Sequence, residues 1–310
     1  MVVPQGRELR GTLGPPGTTH PRRYAHDVAV RSQVVDLPEV EFRPQSMLLT
    51  FFGDYVSDAN EMVAAAGVID LLESVGVGAY ATRATLSRMV KRGLLRREAV
   101  GRQAYFGLTP VGLCTVLDGR YRTQVSDVVD RNWDGRWTFV SFSLPDAAQR
   151  ERHVLRSRLS WGGFGMLQAG LWAAPRSVDV VDLLSDLQVL THVNAFRGDP
   201  LAPSETERMV AQCYDLAVLA AGYTAFLERW QPLAATAAPD GLNPLTARIL
   251  LTTDWLLMLR DDPRLPVQLL PDAWPALPAL ALHRALEKRL RRPAEREARR
   301  RLEVITAPSA

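Results

Sequence analysis

Between Val75 and Thr109 the chain carries Arg83, Arg88, Lys91, Arg92, Arg96, Arg97 and Arg102, with Glu98 the single acidic residue among them. The chain as a whole is close to balance, with 37 basic and 34 acidic residues and a formal net charge of +3. A cationic cluster inside a nearly neutral protein is a localised field, and such fields suit polyanions. Two kinds of contact are available to these side chains. An arginine can pair in bidentate fashion with a guanine edge, and a lysine or arginine can neutralise a phosphate. The spacing puts Arg83, Ser87, Arg88 and Lys91 on one helix face; Arg83, Thr85, Ser87 and Arg88 of that helix are expected to read bases, and Lys91 belongs to the same DNA-binding set. Arg92, Arg96, Arg97 and Arg102 are assigned to flanking backbone.

Other chemistries find less support. His20, His26, His153, His192 and His283 are dispersed and form no HxxxH pair, and neither a GxSxG elbow nor a GxxxxGK[ST] loop occurs. Gly162 to Gly165 (GGFG) has the spacing of a tight turn and not of a dinucleotide fingerprint. Cys114 and Cys213 both sit in apolar runs, which argues against a disulfide framework or a thiolate metal site and fits a reducing cytoplasm. Asp146, after the strand that ends at Pro145, reads as a helix cap. The alternative function it leaves open is a metal-dependent nuclease. The expectation is that the protein is not an enzyme, needs no cofactor and holds no metal.

The elements that must position the basic cluster can be read in order. At 310 residues, 47% of them hydrophobic, the chain should hold two or three domains with real cores. Residues 1–43, rich in Gly and Pro, read as a disordered arm. From Pro44 a helix carries Met47, Leu48, Phe51, Phe52 and Tyr55. A second spans Ala64 to Val75, and a third runs from about Tyr80 to Arg92 with Leu86, Met89 and Val90 inward. Gly93 stops it, and Leu94–Glu98 and Gln103–Leu108 form a hairpin through Gly101 and Arg102. Thr109 and Pro110 open a fourth helix. This order predicts a winged helix-turn-helix domain over residues 44–125, whose third helix would enter a major groove.

Residues 126–203 predict a central ferredoxin-like α/β domain. It would comprise a strand at Trp137–Leu144, a helix at Ala147–Leu159, a turn and strand within Gly162–Ala174, a helix at Val178–Leu190 and a strand at His192–Phe196. Residues 204–310 predict a helical domain. A capping box at Ser204–Glu207 would open a helix through Leu227, and Asn243 and Pro244 would start another that ends at Leu259. A last, basic helix carries Arg284, Lys288, Arg289, Arg291 and Arg292, with Glu287, Glu295 and Glu297 making its exposed face one of mixed charge. The fold class is thus α+β and multidomain. No apolar run reaches the 18–20 residues that a membrane-spanning helix needs.

Three segments carry a family resemblance: RPQSMLLTFFGDYV (Arg43–Val56), ATRATLSRMVKRGLL (Ala81–Leu95) and YFGLTPVG (Tyr105–Gly112). With DGRWTFVSFSLP (Asp134–Pro145), LRSRLSWGGFGMLQAGLWAAPR (Leu155–Arg176) and DPRLPVQLLPDAWP (Asp262–Pro275), the chain resembles the PaaX-type repressors of phenylacetate and related catabolic genes. The resemblance implies a homodimeric, cytoplasmic repressor that binds an inverted-repeat operator in double-stranded DNA. It also implies release by a small effector, phenylacetyl-CoA or another acyl-CoA. Residues suited to such a thioester are Arg136, Arg156 and Arg176 for its phosphates, with Trp161, Phe164 and Trp172 for its acyl group. The long arm before Arg43 departs from the family pattern, and so does the segment Ser57–Val77.

Overall fold

The computed structural model describes residues 42–56, 58–125, 127–202, 205–235 and 243–306. The predicted arm therefore lies outside the described residues except for its last two. Of these, Phe42 is buried against the main core. The architecture is α+β, with two small antiparallel sheets among packed helices.

The first unit begins with α1 (Pro44–Tyr55), whose proline occupies the first turn, where no backbone donor is lost. It buries Met47, Leu48, Phe51 and Phe52, the stripe that the 3–4 spacing predicts. Next come β1 (Glu61–Ala64), α2 (Ala65–Glu73), α3 (Ala79–Lys91), β2 (Leu95–Val100), β3 (Gln103–Leu108) and α4 (Pro110–Val125). Gly93, at φ +71°, ends α3 in the left-handed region that glycine tolerates. Gly101, at φ +62°, turns the hairpin, and β2 and β3 pair from Leu95 opposite Leu108 to Val100 opposite Gln103. The short strand β1 was not expected from sequence.

The second unit contains β4 (Trp137–Phe142), α5 (Gln149–Trp161), β5 (Gly165–Gln168), β6 (Leu171–Ala174), α6 (Val180–Leu184) and β7 (Val193–Gly198). Its sheet order is β5-β6-β4-β7, antiparallel throughout. Alternation along β4 sends Val140 and Phe142 toward α5 and α6, and Trp137 and Phe139 to the opposite face. Three expectations change here. Asp146 caps nothing: its side chain is fully exposed, and α5 starts after Ala148 without a side-chain cap. The segment after Gly162 makes two paired strands, turned at Gly170 (φ +79°). The predicted helix to Leu190 shrinks to α6, capped by Asp179, and the chain then turns so that Val189 is buried beside Leu184.

The C-terminal third holds α7 (Thr206–Cys213), α8 (Leu216–Ala235), α9 (Pro244–Asp261) and α10 (Ala276–Arg301). Asn243 caps α9 as expected, accepting from the Leu245 and Thr246 amides. Ser204 lies outside the described residues, and the residue before the first turn of α7 is Glu205, with no side-chain cap bond. The predicted continuous helix breaks at Tyr214, which is extended and buried. Its hydroxyl lies 3.0 Å from the Gly163 carbonyl and 3.1 Å from that of Ala173. Anchoring that ring bends α7 from α8 by 65°. Among the described residues no single helix is long and apolar enough to cross a membrane; the bent pair passes by length and composition alone, and α8 buries Tyr223, Phe226 and Trp230 in the core.

The last strand, β8 (Val304–Thr306), was also unforeseen. It pairs antiparallel with β1, from Glu61 opposite Thr306 to Val63 opposite Val304, and completes a sheet of order β2-β3-β1-β8. The segment after α10 thus joins the sheet of the first unit. The main core is likewise unbroken from Phe42 through α1, α3, α8 and α9 to Ala298 in α10. A buried ion network reinforces that junction. Arg248 of α9 donates to Tyr55 at 2.8 Å and to Glu287 of α10 at 3.0 Å, and lies 3.1 Å from Asp54 of α1.

Candidate nucleic-acid interface

Helix α3 forms where the sequence places it because Gly78 and Gly93 bracket a run with one buried arc and one polar arc. Thr82, Thr85, Leu86 and Met89 face inward, while Arg83, Ser87, Arg88 and Lys91 are exposed. Thr85 accordingly leaves the predicted set. It is buried, donates its hydroxyl to the Ala81 carbonyl at 2.8 Å, and accepts from Arg88 Nη2 at 2.8 Å. The buried arc is simply wider than three residues per two turns, and it captures a β-branched side chain that spacing alone puts at its border. Thr85 holds the Arg88 guanidinium instead of meeting a base.

The sequence reading missed Tyr80, 86% exposed in the first turn of α3. Its signal was available: Tyr80, Arg83, Ser87 and Lys91 follow at spacings of three, four and four, so they share a face. That face carries no carboxylate within α3, and among the described residues Arg83 and Lys91 make no ion pair.

The other cations divide by what already engages them. Arg92, just past α3, donates to Gln45 Oε1 of α1 at 3.0 Å. Arg96 is held by Glu98 at 2.7 Å and by the Ala59 carbonyl at 2.9 Å, so part of its charge is already balanced. Arg97 and Arg102 on the hairpin are exposed, and neither has a polar partner among the described residues. Thr109 and Gly112 fix the hairpin's base. The Thr109 hydroxyl donates to Gly93 O at 2.5 Å and accepts from the Gly112 amide at 3.0 Å, and a Cβ at Gly112 would lie 2.0 Å from Leu94 O.

The residues expected to hold an effector are not brought together. Phe164 and Trp172 are 3% and 6% exposed and belong to the core beneath the second sheet, which removes them as pocket walls. Large aromatics on strands of a small sheet fill its core first. Arg176 binds the Gly162 carbonyl and so braces the turn at Gly163. Arg136 lies 3.9 Å from Asp199, and Arg156 is exposed on α5. Trp161, 43% exposed at the end of α5, lines a cavity of about 410 Å³ that faces α1, α4 and α9. Among the described residues no three His, Cys, Asp or Glu side chains gather as a metal ion would require.

An α+β chain with an exposed basic helix followed by a basic hairpin falls in the class of proteins built to face a polyanion. Three family models match it in succession: the PaaX-like protein over residues 43–112, the central Cas2-like domain of the PaaX protein over 130–210, and the PaaX-like C-terminal domain over 214–300. The chain is 30% identical over 240 residues to the transcriptional repressor PaaX of Escherichia coli K12, covering 74% of each. It also resembles in fold the uncharacterized protein Rv0674 of Mycobacterium tuberculosis, with a TM-score of 0.54, 24% identity, and coverage of 80% of this chain and 95% of that one. The protein belongs to the PaaX family.

Proposed function

We propose that this protein is a sequence-specific, DNA-binding transcriptional repressor of a catabolic operon, released from its operator by a small effector of the aryl-acyl-CoA class. The observation that carries the reading is the exposed face of α3, with Arg83, Ser87, Arg88 and Lys91 and no acid of its own, followed directly by the hairpin cations Arg97 and Arg102. α2 and α3 act as a helix-turn-helix whose second helix enters the major groove, and β2–β3 is its wing on flanking phosphates. Support for a ferredoxin-like middle domain comes from its β-α-β-β-α-β order, with its third strand between first and second and its fourth on the outer side of the first. The repressor works as a homodimer on an inverted repeat, because one winged helix contacts too few base pairs to define an operator. The reading is of a regulator and not of a nuclease: Asp146, the carboxylate nearest the end of β4, is fully exposed and joins no acidic cluster among the described residues.

The test is operator affinity after Arg83→Ala and Arg88→Ala together. Loss of one bidentate arginine contact is worth about 1–3 kcal/mol of discrimination. The double variant should therefore lose preference for operator over random duplex; retained preference would refute the assignment of α3.

A further inference from the structure

Two cavities adjoin where the first unit meets the C-terminal helices. The smaller, about 410 Å³, has apolar walls from Leu49, Val116, Leu256, Leu257 and the Trp161 ring. The larger, about 790 Å³, runs along α10. They share Asp54, Arg120 and Thr252, so a single cleft passes from an apolar end to a basic end.

The basic end is made by Arg284, Lys288 and Arg292, one stripe at four-residue spacing on α10. The sequence suggests that neighbouring glutamates balance this face, and the structure differs. Glu287 turns inward to Arg248 at 3.0 Å and to Arg291 at 3.3 Å, and Glu297 pairs with Arg300 at 2.8 Å and also with Arg301. Arg284, Lys288 and Arg292 are exposed and have no ion partner among the described residues. A second, independent feature lies in the cleft wall. His283 is 5% exposed and stacked on Trp255 at 4.6 Å, and neither of its ring nitrogens has a hydrogen-bond partner among the described residues. Buried polar atoms left so are uncommon and call for a partner.

We propose that this cleft is the effector site, and that it takes an amphiphilic polyanion: a flat apolar group in the smaller lobe and a phosphate-bearing end on the α10 stripe, with His283 hydrogen-bonding the connecting polar part. The proposal rests on the effector reading above and moves the site from the middle unit to the junction of α1, α4, α9 and α10. Acyl-CoA thioesters have this chemistry. Each lobe, at about 410 and 790 Å³, falls within the roughly 300–1,000 Å³ of small-molecule sites. Gln45 and Arg92 also line the apolar lobe, so its occupant touches the hydrogen bond that joins α1 to the end of α3. A ligand that fits better when α3 is displaced would shift the population away from the DNA-bound form.

The experiment titrates phenylacetyl-CoA and CoA into the full chain, by calorimetry and by the fluorescence of its tryptophans. The proteins compared are wild type, Lys288→Glu with Arg292→Glu, and Leu256→Trp, each checked for folding by circular dichroism. The charge-reversed protein should bind both compounds at least tenfold more weakly, and Leu256→Trp should weaken the ester more than CoA. If wild type binds the ester and both variants bind it equally well, the site is elsewhere while the effector reading stands. If wild type binds neither compound and keeps its operator in their presence, both the site and the effector reading fall. If the charge-reversed protein without ligand loses operator affinity, the stripe is a DNA surface and the proposal is overturned.

Discussion

The hairpin offers a quantitative test of how the protein meets DNA, because the structure separates its free cations from its occupied ones. Arg97 and Arg102 are exposed without polar partners among the described residues, whereas Arg96 is held by Glu98 at 2.7 Å. Each phosphate neutralised contributes about −0.9 to the slope of log K against log[salt]. Replacing Arg97 and Arg102 by alanine removes two contacts per protomer and four per dimer, so the slope should become shallower by about 3.6 for a dimer and about 1.8 for a monomer. Between 50 and 200 mM salt the dimeric variant should then lose affinity about 150-fold less than wild type does. Arg96→Ala should change the slope by well under one unit, since its charge is partly spent on Glu98. Fluorescence anisotropy on a labelled operator and on a scrambled duplex, at four or more salt concentrations, reads all of this. Phosphate contacts predict equal losses on both duplexes. An unchanged slope in the double variant would refute a hairpin laid on the backbone, and a loss confined to the operator would mean that these arginines read bases.

Three further outcomes follow from the interior. Arg248→Met leaves the Asp54 and Glu287 carboxylates buried opposite each other and should cost about 3–5 kcal/mol in urea unfolding; adding Asp54→Asn and Glu287→Gln should recover much of it, and a loss below about 1 kcal/mol would show that the network is not integral. Burial pushes His283 down to about 4, with Glu287 opposing and Arg284 and Arg248 assisting. Its folded-state value is depressed, so the unfolded chain binds the extra proton and stability falls as pH drops from about 6.5 toward 4, by on the order of 3 kcal/mol. His283→Phe keeps the ring stacked on Trp255 and should remove that part of the slope; parallel stability–pH curves for the two proteins would contradict it. Gly112→Ala drives a Cβ to 2.0 Å from the Leu94 carbonyl, so the start of α4 must move; the expected loss is about 1–3 kcal/mol by thermal unfolding, and an unchanged midpoint would show that the α4 junction yields freely.

What the sequence reveals and what it hides divide along local and non-local lines. α1, α3 and α9 are legible because their starts and stops are chemical: Pro44, Gly93 and Asn243 each act on backbone within one turn. The β2–β3 hairpin is legible for the same reason, through Gly101. The strands β1 and β8 are not, since they span only Glu61–Ala64 and Val304–Thr306 and depend on distant partners: β1 pairs with β3 on one side and β8 on the other. Neither run is long enough to show alternation. The break at Tyr214 is also hidden, because it is set by carbonyls at Gly163 and Ala173. For the candidate site, the sequence puts Arg83, Ser87, Arg88 and Lys91 on the exposed side of α3, where the structure has them, but it cannot tell that Thr85 turns inward. It puts Glu287 with the cations of its own helix, and the carboxylate does reach Arg291, but it cannot tell that the same group also serves Arg248 on α9.

That non-local closure bears on how a signal could reach α3. β8 pairs with β1, and the main core runs unbroken from the first unit into α8, α9 and α10. Close-packed cores switch between discrete arrangements and do not deform smoothly. If the effector binds at this junction as proposed, it would act by favouring one packing arrangement of this shared core over another. Two kinds of contact join α3 to α1: the exposed hydrogen bond from Arg92 to Gln45 at 3.0 Å, and the buried packing of Leu86 and Met89 against the α1 stripe. The Arg248 network is buried and ties α1 to α9 and α10, while α3 keeps Leu86 and Met89 in the same core as α1. A hundredfold change in operator affinity requires only about 2.7 kcal/mol of differential ligand binding. If the proposed effector lowers operator affinity a hundredfold, operator DNA must weaken effector binding by the same factor, which a titration of ligand into the protein–operator complex measures directly; equal affinity for free and DNA-bound protein would refute the coupling.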